Sequence, residues 1–156
     1  MFPKMRRIKY EMSKKETINL LKRCDEGVLG TIGTNGYPHT VPINYVFYND
    51  KIYMHSAKEG RKLKNIEHNN KVSFTVYDDV LIDEERFTTS YQSVIVYGIA
   101  KVIPGNKEIL MELIKKYSNK FLNEGIEYVD INFDTTFLIE VTVAHMSGKD
   151  NRKKPK

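Results

Sequence analysis

Residues 52 to 65 read Ile-Tyr-Met-His-Ser-Ala-Lys-Glu-Gly-Arg-Lys-Leu-Lys-Asn, and they hold the side chains that most directly suggest chemistry. A strand ending at Ser56 crosses a short loop into a helix that starts near Gly60, with Arg61 and Lys62 in its first turn. The unpaired N–H groups of a helix start favour an anion. Arginine beside lysine adds a planar fork and a mobile point charge. Cations in a first turn oppose the helix dipole at a cost of roughly 0.3 kcal/mol or more, and an anion seated there removes that cost. Taken alone, the Arg-Lys pair also fits a solvated helix face, and His55 fits a strand histidine bonded to a neighbour.

Other chemistries find little footing. The four histidines, His39, His55, His68 and His145, form no i,i+4 pair, and Cys24 is the only cysteine, so no metal site is expected. There is no Gly-x-Ser-x-Gly elbow, Walker loop or Gly-x-Gly-x-x-Gly motif. The formal charge is +5, but residues 1 to 9 and 149 to 156 each contribute +4, leaving −3 between them. A single-strand nucleic-acid platform needs its charge along a groove, so nucleic acid is not expected as a partner. No apolar run reaches membrane-spanning length and no signal peptide is apparent, so a cytoplasmic protein without membrane association is expected.

The elements that must position this stretch follow from periodicity. Residues 1 to 12 read as an extended arm. Ser13 and Glu16 form a capping box ahead of an amphipathic helix carrying Ile18, Leu21 and Cys24, which flanks or covers the rest. Residues 28 to 33 form a strand, Asn35-Gly36 a hairpin turn, and residues 37 to 48 a long return strand. Pro42 cannot donate to a ladder, so a bulge or an unpaired edge is expected there. Residues 51 to 56 complete a meander. A short helix follows at 60 to 68, then strands at 71 to 77 and 90 to 103, separated by an irregular acidic segment at 78 to 87. Gly98 marks a bulge. A helix from Ile109 to Phe121 and a closing strand at 137 to 146 complete one domain over residues 1 to 148, with a basic, disordered tail at 149 to 156. Six hairpin-joined strands with flanking helices imply a closed or nearly closed antiparallel barrel.

Several pieces, in order, resemble the FMN-binding split barrel of the pyridoxamine 5′-phosphate oxidase family, most closely its 5-nitroimidazole-resistance branch. They are Gly27-Val28-Leu29-Gly30, Asn35-Gly36-Tyr37-Pro38, Val41-Pro42-Ile43-Asn44-Tyr45-Val46, Ile52-Tyr53-Met54-His55-Ser56-Ala57, Gly60-Arg61-Lys62 and the run from Phe87 to Gly98. The resemblance implies a six-stranded antiparallel split β-barrel, FMN as cofactor and a homodimer with flavin sites at the subunit interface. It implies that Arg61, Lys62 and Ser56, beside Gly60, hold the FMN phosphate, and that Pro42, Ile43 and Asn44 line the isoalloxazine edge. His55 would stand beside the flavin and substrate, and Ser93, with Gln92, would reach the flavin from the second subunit. Where the oxidase has a lysine near Asn44, this chain is neutral. It also lacks the oxidase's C-terminal Arg and Trp elements, which argues against pyridoxamine phosphate as substrate.

The expected activity is an FMN-dependent reduction of a small electron-poor acceptor such as a nitroaromatic, with His55 as the catalytic candidate. The alternative is a redox module without turnover that binds flavin, haem or a deazaflavin.

Overall fold

The computed structural model describes residues 2–152. Ser13 caps α1 (Lys14–Arg23): Glu16 N–H donates to the Ser13 hydroxyl at 3.3 Å, and Ser13 N–H to the Glu16 carboxylate at 2.9 Å. β1 (Glu26–Ile32) and β2 (Pro38–Asn44) form the expected hairpin, with Gly36 at φ +81° in its turn. β3 (Val46–Tyr48), β4 (Lys51–Ser56) and α2 (Arg61–His68) follow. The long strands β5 (Lys71–Asp83) and β6 (Thr88–Pro104), the helices α3 (Lys107–Tyr117) and α4 (Leu122–Asn132), and β7 (Phe137–Asp150) complete the chain.

All pairings are antiparallel, in the order β2-β1-β5-β6-β7-β4-β3. Laid flat, seven strands would separate the edges β2 and β3 by roughly 29 Å. Yet one residue, Tyr45, joins these two strands, and it spans no more than about 7 Å. The sheet therefore rolls into a barrel whose edges meet at Tyr45 through covalent continuity, which is a split barrel.

The strand count is seven rather than six because the expected return strand at 37 to 48 divides at this residue. Tyr45 is fully buried, and side chains of α3 satisfy its backbone. Its N–H donates to the Tyr117 hydroxyl at 2.8 Å, and its carbonyl accepts from Tyr117 Oη at 2.6 Å and Lys116 Nζ at 3.1 Å. Pro42 lies in the edge strand β2, where a missing donor is tolerated.

Three further boundaries differ from the sequence expectation. The segment at 78 to 87 is not irregular throughout: β5 continues past a register shift between Asp78 and Leu81 and pairs with β6 to the end of a projecting ribbon. α4 follows α3 where no second helix was expected. Its pattern is weak because Gly125 replaces an apolar residue at the helix contact; a Cβ there would come within 2.4 Å of Ile114 Cγ2. β7 runs to Asp150 and Arg152 is ion-paired, so the expected tail begins as ordered structure. Residues 153 to 156, the rest of that tail, lie outside the described residues. The bulge expected at Gly98 is present as a register shift between Tyr97 and Gly98.

Two apolar cores result. One fills the barrel with Leu29, Ile52, Met54, Phe74, Val94, Val96 and Val141, closed by Leu20 and Leu21 of α1 and by Leu63 and Ile66 of α2. The other lies between the outer face of the sheet, at Val46, Tyr53 and Leu138, and the helices α3 and α4. No described helix is long and apolar enough to cross a membrane.

Candidate functional site

The stretch from β4 to α2 folds as the residue pattern requires. Ile52 and Met54 face the barrel core, and two-residue periodicity places Ser56 in the same row. Ser56 is 4% exposed, and its hydroxyl has no hydrogen-bond partner. A buried hydroxyl left unpaired is costly, and nothing among the described residues offsets that cost at Ser56. Phe137 stands directly across from Ser56 on β7 and forms part of the wall of a cleft of about 1630 Å³. The cleft runs between α2, the β1–β2 turn, and the ends of β6 and β7.

Gly60 caps α2 at φ +145°, a backbone conformation that favours glycine. No side chain caps the helix, and a Cβ at Gly60 would meet nothing within 4 Å. The first turn is therefore open. Neither Arg61 nor Lys62 pairs with an acid among the described residues, and Gly60 and Arg61 line the cleft. Ser56, Gly60, Arg61 and Lys62 thus bring an orphaned hydroxyl, free helix N–H groups and two uncommitted cations to one end of the barrel. The donors suit a phosphate monoester.

His55 is separated from that seat by the pleat. It points to the opposite face of β4 from Ser56, exposed, across from Leu138 at the margin of the α3–α4 layer. Pro42, Ile43 and Asn44 lie on β2, opposite Val28, Gly27 and Glu26. Pro42 borders a second groove of about 500 Å³ that includes Cys24, Gly27 and Tyr77. The Asn44 amide donates to the Asp25 carbonyl at 3.3 Å.

Gln92 and Ser93 point to opposite faces of β6. Ser93 is half-buried, between Tyr77 and Lys149. Gln92 is buried, and both ends of its amide are engaged within its own chain: Arg23 donates to Oε1 at 2.9 Å, and Nε2 donates to Asp150 at 2.9 Å. The same network ties Arg23 to Asp78 and Asp79, and Arg152 to Asp150 and Asp79. Arg152 and Gln92 hold the buried Asp150 carboxyl down to about 2, against the opposing effect of burial. Nearby, Lys116 donates to the carbonyls of Cys24 and Tyr45, and burial lowers its pKa. Sequence reasoning missed this network because Asp150 and Arg152 carry no signal apart from tail charge. It also missed Asn65, whose amide donates to Thr31 Oγ1 at 2.9 Å and fixes α2 to β1.

The fold is a split barrel with an open, cation-flanked helix start at one end. The sequence profile of the pyridoxamine 5′-phosphate oxidase family matches residues 13–150, and the chain belongs to that family. Among characterised relatives, it is similar to a 5a,11a-dehydrotetracycline/5a,11a-dehydrooxytetracycline reductase of Streptomyces rimosus, with 28% identity over 70% of this chain and 81% of the relative. A conserved hypothetical protein of Mycobacterium tuberculosis superposes with a TM-score of 0.82 at 20% identity, over 96% of this chain and 91% of the other. A protein proposed to confer 5-nitroimidazole antibiotic resistance in Bacteroides thetaiotaomicron gives a TM-score of 0.70 at 21% identity, covering 89% and 85%. These two structural likenesses speak to the fold.

Proposed function

We propose that this protein is an FMN-dependent oxidoreductase that reduces a small electron-poor acceptor, such as a nitroaromatic, and works in the cytoplasm as a homodimer with flavin sites at the subunit interface. The seat formed by Ser56, Gly60, Arg61 and Lys62 carries this reading, because its donors complement a terminal phosphate and FMN ends in one. The reductase among its relatives supports the direction of the chemistry.

When bound, the flavin supplies the electron transfer. The chain's contribution is binding, orientation and proton supply. Arg61 offers its planar fork and Lys62 its point charge to the phosphate, in charge-assisted bonds. β2 is an edge strand, so the backbone groups that face away from β1 have no strand partner and are available to the rim of a planar heterocycle. Pro42, Ile43 and Asn44 supply that edge, with Pro42 removing one donor. Ser93 reaches the same flavin from the second subunit. His55, exposed at the end of β4, orients the acceptor or hands it a proton, as an imidazole does near neutral pH.

Flavin fluorescence titration and steady-state reduction assays on two variants test this reading. Replacing Arg61 and Lys62 with Ala should weaken FMN binding by about 100-fold or more, since each charge-assisted bond contributes roughly 1.5–3 kcal/mol. His55→Ala should lower turnover while leaving FMN affinity in place. An unchanged Kd in the double variant would overturn the phosphate seat, and an unchanged kcat would remove His55 from the reaction.

A further inference from the structure

The α2 cleft is longer and more basic than a single phosphate requires. Residues 51 to 71 carry six lysines and arginines against Glu59 and Glu67, a net +4 within a span, residues 10 to 148, that totals −3. Arg61, Lys64 and His68 stand at i, i+3 and i+7 along α2 and all line the cleft, so they form one ridge roughly 10 Å long. A phosphate at the helix start meets only one end of that ridge. Further along it, Lys64 is exposed and has no acid partner among the described residues.

The β1–β2 turn brings two groups of a different kind to the same cleft. Tyr37 is 73% exposed, and its ring stacks on no other ring among the described residues. His39, two positions on, is half-buried, and its Nδ1 is buried without a hydrogen-bond partner. An open aromatic face complements a base, an orphaned ring nitrogen complements a polar group on the base or ribose, and a row of cations complements phosphates. Those three parts in one cleft describe a nucleotide.

We propose that this cleft binds the adenosine half of the phosphorylated pyridine dinucleotide NADPH, which serves as the electron donor. Tyr37 stacks on the adenine, His39 Nδ1 bonds the adenosine, and Lys64 with His68 holds the 2′-phosphate, leaving Arg61 and Lys62 to the flavin phosphate. From His39, β2 runs four residues, roughly 13 Å, to Ile43. One strand thus joins the adenosine site to the edge proposed above for the isoalloxazine ring. The dinucleotide gives up a hydride from its dihydronicotinamide ring and leaves oxidised. Its two electrons, with that hydrogen and one further proton from water, pass to the flavin. The donor role rests on the flavin reading above; the adenosine site does not.

Calorimetric titration of the full chain, with and without added FMN, tests the site. The probe is adenosine 2′,5′-bisphosphate, which carries the adenosine and the 2′-phosphate without the nicotinamide. Saturable binding is expected in both conditions. Tyr37→Ala should weaken it about tenfold, the share of one stacked base, and Lys64→Ala with His68→Ala about tenfold or more. FMN affinity should stay unchanged in these variants, none of which alters the phosphate seat. Absence of binding overturns the proposal, as does unchanged affinity in either variant. Inorganic phosphate binding as tightly as the bisphosphate would leave only an anion site and overturn the adenosine. FAD displacing the bisphosphate more effectively than NADPH would give the adenosine to the flavin itself and overturn the dinucleotide. In the FMN-loaded chain, stopped-flow mixing with NADPH below saturation should bleach the flavin absorbance about tenfold faster than NADH does, and Lys64→Ala with His68→Ala should abolish that preference. Equal rates in the unaltered chain overturn the role of the 2′-phosphate. Bisphosphate binding without FMN affinity sinks the flavin reading and keeps the adenosine site, whereas FMN binding without bisphosphate affinity sinks only the present proposal.

Discussion

The two ends of the barrel use similar side chains in opposite ways. At the α1 end, Arg23, Gln92, Asp150 and Arg152 are paired with one another and with Asp78 and Asp79. At the α2 end, Arg61 and Lys62 have no acid among the described residues, and the buried Ser56 hydroxyl has no partner. Polar groups buried during folding are satisfied almost everywhere, and under the proposed function the end left incomplete is the one a ligand would complete. On that proposal, the paired end serves the fold and the unpaired end serves binding at some expense of the fold. Substitutions that remove polar groups should therefore have opposite consequences at the two ends.

The largest effect is expected at Asp150, which is 2% exposed and accepts from Gln92 and Arg152. Its carboxyl is lowered from 3.8 to about 2 in the folded chain. A depressed carboxylate stabilises the fold above its unfolded pKa, and that contribution is lost as pH falls through the folded value. The shift corresponds to about 2 kcal/mol, fully present above pH 4 and disappearing towards pH 2. Asp150→Asn should therefore lower the denaturant midpoint at pH 7 by an amount equivalent to about 2 kcal/mol, and the gap from the parent should narrow steadily between pH 4 and pH 2. A gap independent of pH would mean that the carboxylate charge does not hold this end together.

Much of the barrel was legible because its signals are local. The capping box at Ser13, the Asn35-Gly36 turn, the boundaries of β4 and the bulge at Gly98 all depend on a few neighbouring residues whose backbone or side-chain limits are visible in the sequence. The strand-to-helix unit that we propose as a phosphate seat was legible for the same reason, since strand, glycine and paired cations adjoin in the chain. What escaped depends on distant partners. Tyr45 interrupts its strand because Tyr117 and Lys116, some seventy positions away, replace a ladder neighbour. α4 is held by the fit of Gly125 against Ile114, and Asp150 with Arg152 looked like tail charge until Gln92 and Asp79 were placed beside them. The opposed faces of His55 and Ser56 follow from strand periodicity, and they split a stretch that is continuous in sequence into a core-facing side and an outer side.

An intermediate effect is expected at Tyr117, which closes the barrel seam near the paired end. Its hydroxyl accepts from Tyr45 N–H at 2.8 Å and lies 2.6 Å from the carbonyls of both Tyr45 and Asp25. Tyr117→Phe keeps the ring and orphans a buried backbone N–H, at a cost of about 1–3 kcal/mol. Chemical denaturation should show that loss, and hydrogen exchange should show faster opening at Tyr45 than elsewhere in β3 and β4. Unchanged exchange at Tyr45 would mean that covalent continuity alone holds the seam.

The smallest stability effect is expected at Ser56, and its sign gives the sharpest contrast with Asp150. The hydroxyl is buried in line with Ile52 and Met54 and bonded to nothing in the chain, so Ser56→Ala removes a desolvated polar atom without removing a bond. Stability without ligand should stay within about 0.5 kcal/mol of the parent or rise slightly. FMN affinity should fall about tenfold, the loss of one hydrogen bond worth roughly 1.4 kcal/mol. Thermal unfolding with and without FMN separates the two, because bound ligand stabilises in proportion to the logarithm of its saturation. The variant should match the parent without FMN and gain less from added FMN. If it instead loses stability without FMN and responds to FMN as the parent does, the hydroxyl belongs to the fold and the contrast between the two ends fails at this residue.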